Sequence, residues 1–410
     1  MRIMIRKLLA ALLLAGMASP ALAQYTINTL ASFSVNGQWP QAGLTLSGNT
    51  LYGTTEKGGA NNYGEVFSVP VSGGTPTVLA SFNGANGSFP LSGLALSGNT
   101  LYGTTNDGGA NGDGVVFSVP IAGGTPTILA SFNGSDGVSP QGGLILSGGT
   151  LYGTTFGGGA SYSVNGGDGV VFSLPVTGGT PTVLASFDGA NGSGPEAGVT
   201  LSGGVLYGTT YLSSGNGNEG GVFSVPITGG TPTVLASFDG NNGSAPEGDL
   251  TVSGGTLYGT TFSGGAYTAG EVFSLPITGG TPTLLASFTG ADGNGPDGGL
   301  TLSGGTLYGT TSAGGTYGAG IVFSLPATGG APTVMASFNG PDGDYPVGDL
   351  TLSNGVLYGT TAYGGEDFGN VFSIALPEPG SMSLLAIAGL GLLRRRRPSH
   401  RPIESATHFL

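Results

Sequence analysis

The side chains able to do chemistry are few in kind. The chain has no cysteine, and its two histidines, His400 and His408, both lie in the final segment. A thiolate nucleophile, a serine or cysteine triad and an imidazole metal site are therefore excluded from residues 24–376. What remains is carboxylate: of 22 Asp and Glu only Glu378 and Glu404 fall outside that stretch, in which Lys57 is the sole base. A net charge near −19 over this body repels nucleic acid and anionic lipid.

Two groups of residues stand apart. Tyr345, Tyr363, Glu366 and Asp367 gather near the C-terminal end of the body, and Trp39 and Tyr63 near its start. Carboxylates beside exposed aromatic rings suit sugars, whose C–H faces stack on the rings while their hydroxyls bond to the acids. These six are the candidate ligand-binding residues; the plainer alternative makes them ordinary loop residues, with Trp39 plugging a seam. Asp342, Asp344 and Asp349 lie in and after an Asp/Gly-rich segment and are the candidate Ca²⁺ ligands, Ca²⁺ being a hard cation that takes loop oxygens. No segment carries a complete calcium loop with its bidentate Glu, and Asx-Gly turns account for the same composition. Apart from Ca²⁺ no cofactor is implied. For catalysis only a carboxylate pair is left, Asp342 or Asp344 with Glu366, as in glycoside hydrolysis. One acid of such a pair needs a pKa raised by burial, and these loops read as wet, so the expectation is a protein that is not an enzyme.

The scaffold that must position these residues is a repeat. Leu-Tyr-Gly-Thr-Thr begins at Leu51, Leu101, Leu151, Leu206, Leu257, Leu307 and Leu357, at spacings of 50, 50, 55, 51, 50 and 50. A period near 50 built from short β-type runs is the mark of propeller blades. In the second repeat the pattern predicts four strands, at 93–97, 100–105, 115–120 and 125–132. Ser-Gly-Asn or Ser-Gly-Gly separates the first two, and Gly-Gly-Thr-Pro the last two.

The chain opens with a fourth-type strand, 26–33, and ends on a third-type strand, 370–375. An open solenoid gains nothing from such an offset, whereas a ring gains closure. The expected fold is thus all-β, a seven-bladed propeller of four-stranded antiparallel blades whose last blade is completed by the N-terminal strand. Alternate connections of a meander emerge on the same side. One rim therefore holds the short, regular turns, and the other holds the variable loops with acids such as Asp107, Asp113, Asp136, Asp188, Glu196, Asp239, Glu247, Asp292 and Asp297.

The recurring Gly-Leu…Leu-Tyr-Gly-Thr-Thr…Gly-Gly…Gly-x-Val-Phe-Ser unit over residues 25–376 resembles the GloVer tandem repeat of bacterial surface proteins. That resemblance implies architecture and location, and no catalytic residues.

The two ends read as addresses. Residues 1–23 have the basic start, short apolar run and Ala21-Leu22-Ala23 of a secretory signal peptide. Residues 377–397 hold Pro377-Glu378-Pro379, the apolar run Met382–Leu393 and the arginines Arg394–Arg397. They resemble the PEP-CTERM sorting signal, which implies an exosortase-type processing enzyme as a partner and transient membrane anchoring through this segment alone. Residues 398–410 are an extension beyond the usual end of such signals. The sequence expectation is an exported cell-surface or biofilm-matrix propeller, non-enzymatic, binding an exopolysaccharide or another surface component through its acidic rim. A structural spacer and a carboxylate-pair glycosidase are the alternatives.

Overall fold

The computed structural model describes residues 25–34, 37–161, 166–212 and 219–377. Among them seven four-stranded antiparallel sheets form the blades of a β-propeller, joined by one small two-stranded ribbon, Gly37–Gln38 with Lys57–Gly58. The N-terminal strand Asn28–Ser32 pairs with Asn370–Ala375, so the last blade is closed by the start of the chain. No described helix is long and apolar enough to cross a membrane.

In the second blade the strands run, from the ring axis outward, Ala95–Ser97, Thr100–Thr105, Val115–Pro120 and Thr127–Ser131. The middle two coincide with the sequence expectation, and the inner and outer ones are shorter. A bulge explains part of the outer strand's behaviour: Val116 pairs with Ala130 and Phe117 with Ile128, leaving Leu129 out of the ladder. The freed Leu129 carbonyl accepts the Gly179 N–H of the next blade's turn at 2.9 Å. A Cβ on the preceding Gly178, whose φ is +79°, would lie 2.7 Å from that same oxygen, so a side chain there is excluded twice over. The contact recurs from blade to blade, and at the closure the Tyr25 N–H takes the glycine's place on the Met335 carbonyl, 2.8 Å away.

The core lies between blades rather than within them. Tyr52, Val66, Ala80 and Phe82 of the first blade pack on Leu94, Leu101, Phe117 and Val119 of the second. At each seam a phenylalanine ending one outer strand meets edge-to-face the third-strand phenylalanine of the next blade, as in Phe82–Phe117, with centroids 4.9 Å apart at 67°. The closing seam has the same pair, Phe33–Phe67 at 4.8 Å. The third-strand ring has room because Gly103 is its cross-strand partner; a Cβ on Gly103 would come within 2.7 Å of the Phe117 ring.

Phe187 is fully buried in the seam pair Phe187–Phe223. Phe187→Ala is expected to cost about 3–5 kcal/mol, the range for emptying a buried aromatic site. Urea unfolding measures it, and a loss below about 1 kcal/mol would show that the seams do not carry the fold.

Candidate functional site: an acidic channel with an aromatic edge

The short inner strands surround a central cavity of about 530 Å³. They are tied to one another by side chains: the Thr45 hydroxyl donates to the Leu94 carbonyl, and the Thr351 hydroxyl donates to the Leu44 carbonyl across the chain closure. Each repeat reaches its inner strand through a proline. The next residue is Gln41, Leu91 or Gln141 in the first three blades, then Glu196, Glu247 and Asp297, and finally Val347; all seven line the channel. Two positions further on stands glycine, except for Asp249 and Asp349.

Five carboxylates thus share one side of a narrow space. The Asp249 carboxylate accepts the Gly198 N–H at 2.7 Å, and that of Asp349 accepts the Gly299 N–H at 2.5 Å, each bracing its blade to the preceding one. Glu247 and Asp297 hydrogen-bond to each other, side chain to side chain. Loss of water raises the pKa of every member, and repulsion from its neighbours adds to the effect for all but Asp349. Glu196 is pushed up to about 7, by burial and then by Asp297. Three further acids are buried elsewhere, Asp136 in the linker between the second and third blades and two at the start of third strands. Glu65 is raised to about 8 by burial, and Glu271, also raised by burial, accepts the Ser287 hydroxyl at 3.0 Å.

On the loop rim the residue before each of these prolines has positive φ: Trp39, Phe89, Ser139, Gly194, Ala245, Gly295 and Tyr345, between 52° and 64°. Its N–H and C=O are both engaged, as when Trp39 donates to the Phe368 carbonyl and accepts from the Glu56 N–H. Three adjacent blades place an aromatic ring at this position, Tyr345, Trp39 and Phe89. Tyr363 lies between the first two, with centroids 6.1 Å from Trp39 and 6.0 Å from Tyr345. The Lys57 ammonium sits 4.3 Å from the Trp39 ring centroid. Trp39 and Tyr345 stand two residues before the channel-lining Gln41 and Val347, which puts the aromatic edge at the channel mouth; the Tyr345 phenol is raised by burial and then by Asp297 and Glu247. At the same mouth the channel-lining Gln41 amide donates to Glu56 at 2.5 Å, and burial raises the Glu56 pKa.

Trp39, Tyr345 and Tyr363, far apart in the chain, are therefore brought together. Tyr63 stands one blade further round, against Phe89 at 5.8 Å. Glu366 and Asp367 are exposed beyond Tyr363, in a loop where the Asp367 N–H donates to the Gly364 carbonyl.

The three candidate calcium ligands do not converge. Asp342 caps a turn by accepting the Asn339 N–H at 2.9 Å, Asp344 exchanges backbone bonds with Tyr363, and Asp349 faces the channel. Among the described residues no three acidic or imidazole side chains are arranged to hold a metal ion.

Glu196, Glu247 and Asp297, expected with the variable loops of the acidic rim, line the channel instead. They lie inside because the linker turns toward the axis at its proline, a turn that residue order alone does not reveal. The prolines and the unpaired Asp249 and Asp349 among glycines were the available signal. Pro377 is the last described residue and is exposed; Glu378, Pro379, the signal peptide and the 398–410 extension lie outside the described residues.

Seven blades closed by the N-terminal strand define a tandem-repeat β-propeller. The family model of the Gloeobacter/Verrucomicrobia repeat matches residues 19–218 and 210–392, and the chain belongs to that family. No curated protein matches it. Among solved structures it is similar to a puromycin-hydrolysing peptidase of Mycobacterium tuberculosis, at 12% identity and a TM-score of 0.52 over 86% of this chain and 55% of that one. A puromycin hydrolase gives 12% and 0.52, over 82% and 53%. This chain spans about half the length of these two proteins, and the likeness is one of fold. A TolB-like protein from Agrobacterium tumefaciens matches at 14% identity and a TM-score of 0.41, over 60% of this chain and 80% of that one.

The raised carboxyls set the pH dependence of stability. Each holds its proton to higher pH when folded than unfolded, so between the ordinary carboxylate range, about pH 4, and about pH 8, where Glu65 titrates, the native chain binds the more protons. Stability then falls as pH rises. The melting temperature is expected to be higher at pH 5 than at pH 9. The double change Glu247→Gln with Asp297→Asn is expected to flatten that slope; an unchanged slope would mean that these two acids ionise freely.

Proposed function

We propose that this chain is an exported, non-enzymatic surface propeller that binds glycan at the channel mouth. The observation that carries the reading is the contiguous edge Tyr345–Tyr363–Trp39 beside a cavity lined with carboxyl groups. Ring faces take the apolar side of a sugar, and carboxyls with the Gln41 and Gln141 amides take its hydroxyls. Protonated carboxyls both donate and accept, so the raised pKa values widen the hydrogen bonding open to a neutral sugar. Export and sorting at the surface rest on residues 1–23 and 377–397, and the producer's own exopolysaccharide is the natural ligand class.

Glycan arrays and pull-downs with that exopolysaccharide test the proposal. Trp39→Ala is expected to weaken binding about tenfold, the worth of one good ring contact. Lys57→Ala, which clears one face of Trp39, is expected to leave affinity unchanged or higher. Silence of the unaltered protein across array and exopolysaccharide would favour a structural spacer. Release of reducing ends would instead favour hydrolysis by a carboxylate pair.

A further inference from the structure

We propose that the turn rim is the face this protein presents to a membrane, so that the acidic channel mouth points away from it. The inference rests on the reading of Met382–Leu393 as an anchor, and adds to it an orientation.

Both ends of the folded body lie on that rim. The Tyr25 N–H donates to the Met335 carbonyl, and the Leu376 N–H donates to the Gly355 carbonyl of an inner hairpin turn at 2.7 Å. The rim is also uncharged. Its turns, such as 47–50 and 70–76 in the first blade, contain no Asp, Glu, Lys, Arg or His in any blade. They are Ser-Gly and Gly-Gly-Thr-Pro sequences, with half-exposed Val71, Ile121 and Val176 and the exposed Ile227 between them. Every acid of the body lies on the loop side or in the channel entered from it.

Distance makes this asymmetry count. A six-residue strand such as Thr100–Thr105 rises roughly 20 Å, about two screening lengths at physiological salt. An anionic bilayer against the turn rim is therefore largely shielded from the body's negative charge, whereas the loop rim would meet it directly.

The tether points the same way. Four residues, Glu378 to Ser381, separate Pro377 from the apolar run, and the five chain steps from Pro377 to Met382 span at most about 18 Å even fully extended. That is shorter than the blade is tall, so the loop rim cannot turn to the surface while the apolar run is inserted.

The absence of cysteine allows single fluorescent labels at Ala122→Cys on the turn rim, Ala110→Cys on the loop rim and Thr29→Cys on the outer edge of the closing blade. The full chain without its signal peptide is bound to mixed phosphatidylcholine–phosphatidylglycerol vesicles carrying a headgroup quencher. The label at residue 122 is expected to lose most of its fluorescence and the label at 110 to keep it, with chain truncated after Pro377 showing no loss at either. Equal loss at 122 and 110 in vesicle-bound protein, or the greatest loss at 29, would overturn the orientation and leave the anchor standing. Failure of the full chain to float with the vesicles would overturn the anchor reading and the orientation with it.

Discussion

The edge-to-face contact between phenylalanines of successive blades is the interaction on which the rest depends. It repeats at every seam, with centroid separations of 4.8–5.1 Å, and includes the closure, where Phe33 from the start of the chain meets Phe67. Each third-strand ring lies over a glycine of its own blade, so the seam needs a residue with no side chain and a large flat one at matched positions. Such a pair contributes about 0.5–1.5 kcal/mol beyond the area it buries. The contact also fixes how far each blade is turned from the last, and with it how closely the inner strands approach around the axis.

That close approach explains the chemistry of the channel. Carboxylates on short inner strands have few places to go, and those of blades four to seven converge on one side, facing Gln41, Leu91 and Gln141. Two are held by backbone N–H groups of the preceding blade, and two share a hydrogen bond. A space this narrow cannot cheaply hold several negative charges, and the raised pKa values are the consequence. The aromatic edge arises differently. All seven pre-proline positions take the same left-handed backbone, at a cost of about 1–2 kcal/mol for each residue that is not glycine. Ser139 and Ala245 bear it as Trp39 and Tyr345 do, so the strain belongs to the scaffold. The site is made by putting large rings on a position that every blade presents.

Much of the fold was legible because the repeat is so regular. Second and third strands could be bounded to the residue, and the ring closure followed from the offset between the ends. The outer strand was less legible, since the bulge at Leu129 and its equivalents follows from a neighbouring blade's turn and not from local pattern. The association of Trp39 with Tyr345 and Tyr363 could be anticipated, because departures from a repeat average stand out and ring closure makes first and last blades neighbours. The inward path of Glu196, Glu247 and Asp297 could not, because a linker's order says which rim it serves but not whether its last residues face water or the axis. Asp349 illustrates the difference: it is five residues from Asp344 in sequence and belongs to another part of the structure.

The division between the two rims follows from parity and from packing together. Four strands is an even number, so every blade returns the chain to the rim it left, and all linkers accumulate on one face. The other face keeps only its turns, and these are constrained from below. At every junction but the one where Tyr25 takes the glycine's place, the bulged carbonyl of the outer strand occupies the space where the first glycine of the next turn would carry a side chain, and the second glycine donates to it. Substitution there breaks the junction between blades. Variation, charge and aromatic rings are consequently confined to the loop face and the channel behind it, while the turn face stays small, neutral and uniform. A rim shaped only by solubility would carry scattered charges like any other surface. Its bareness is the outward sign of the contact that joins one blade to the next.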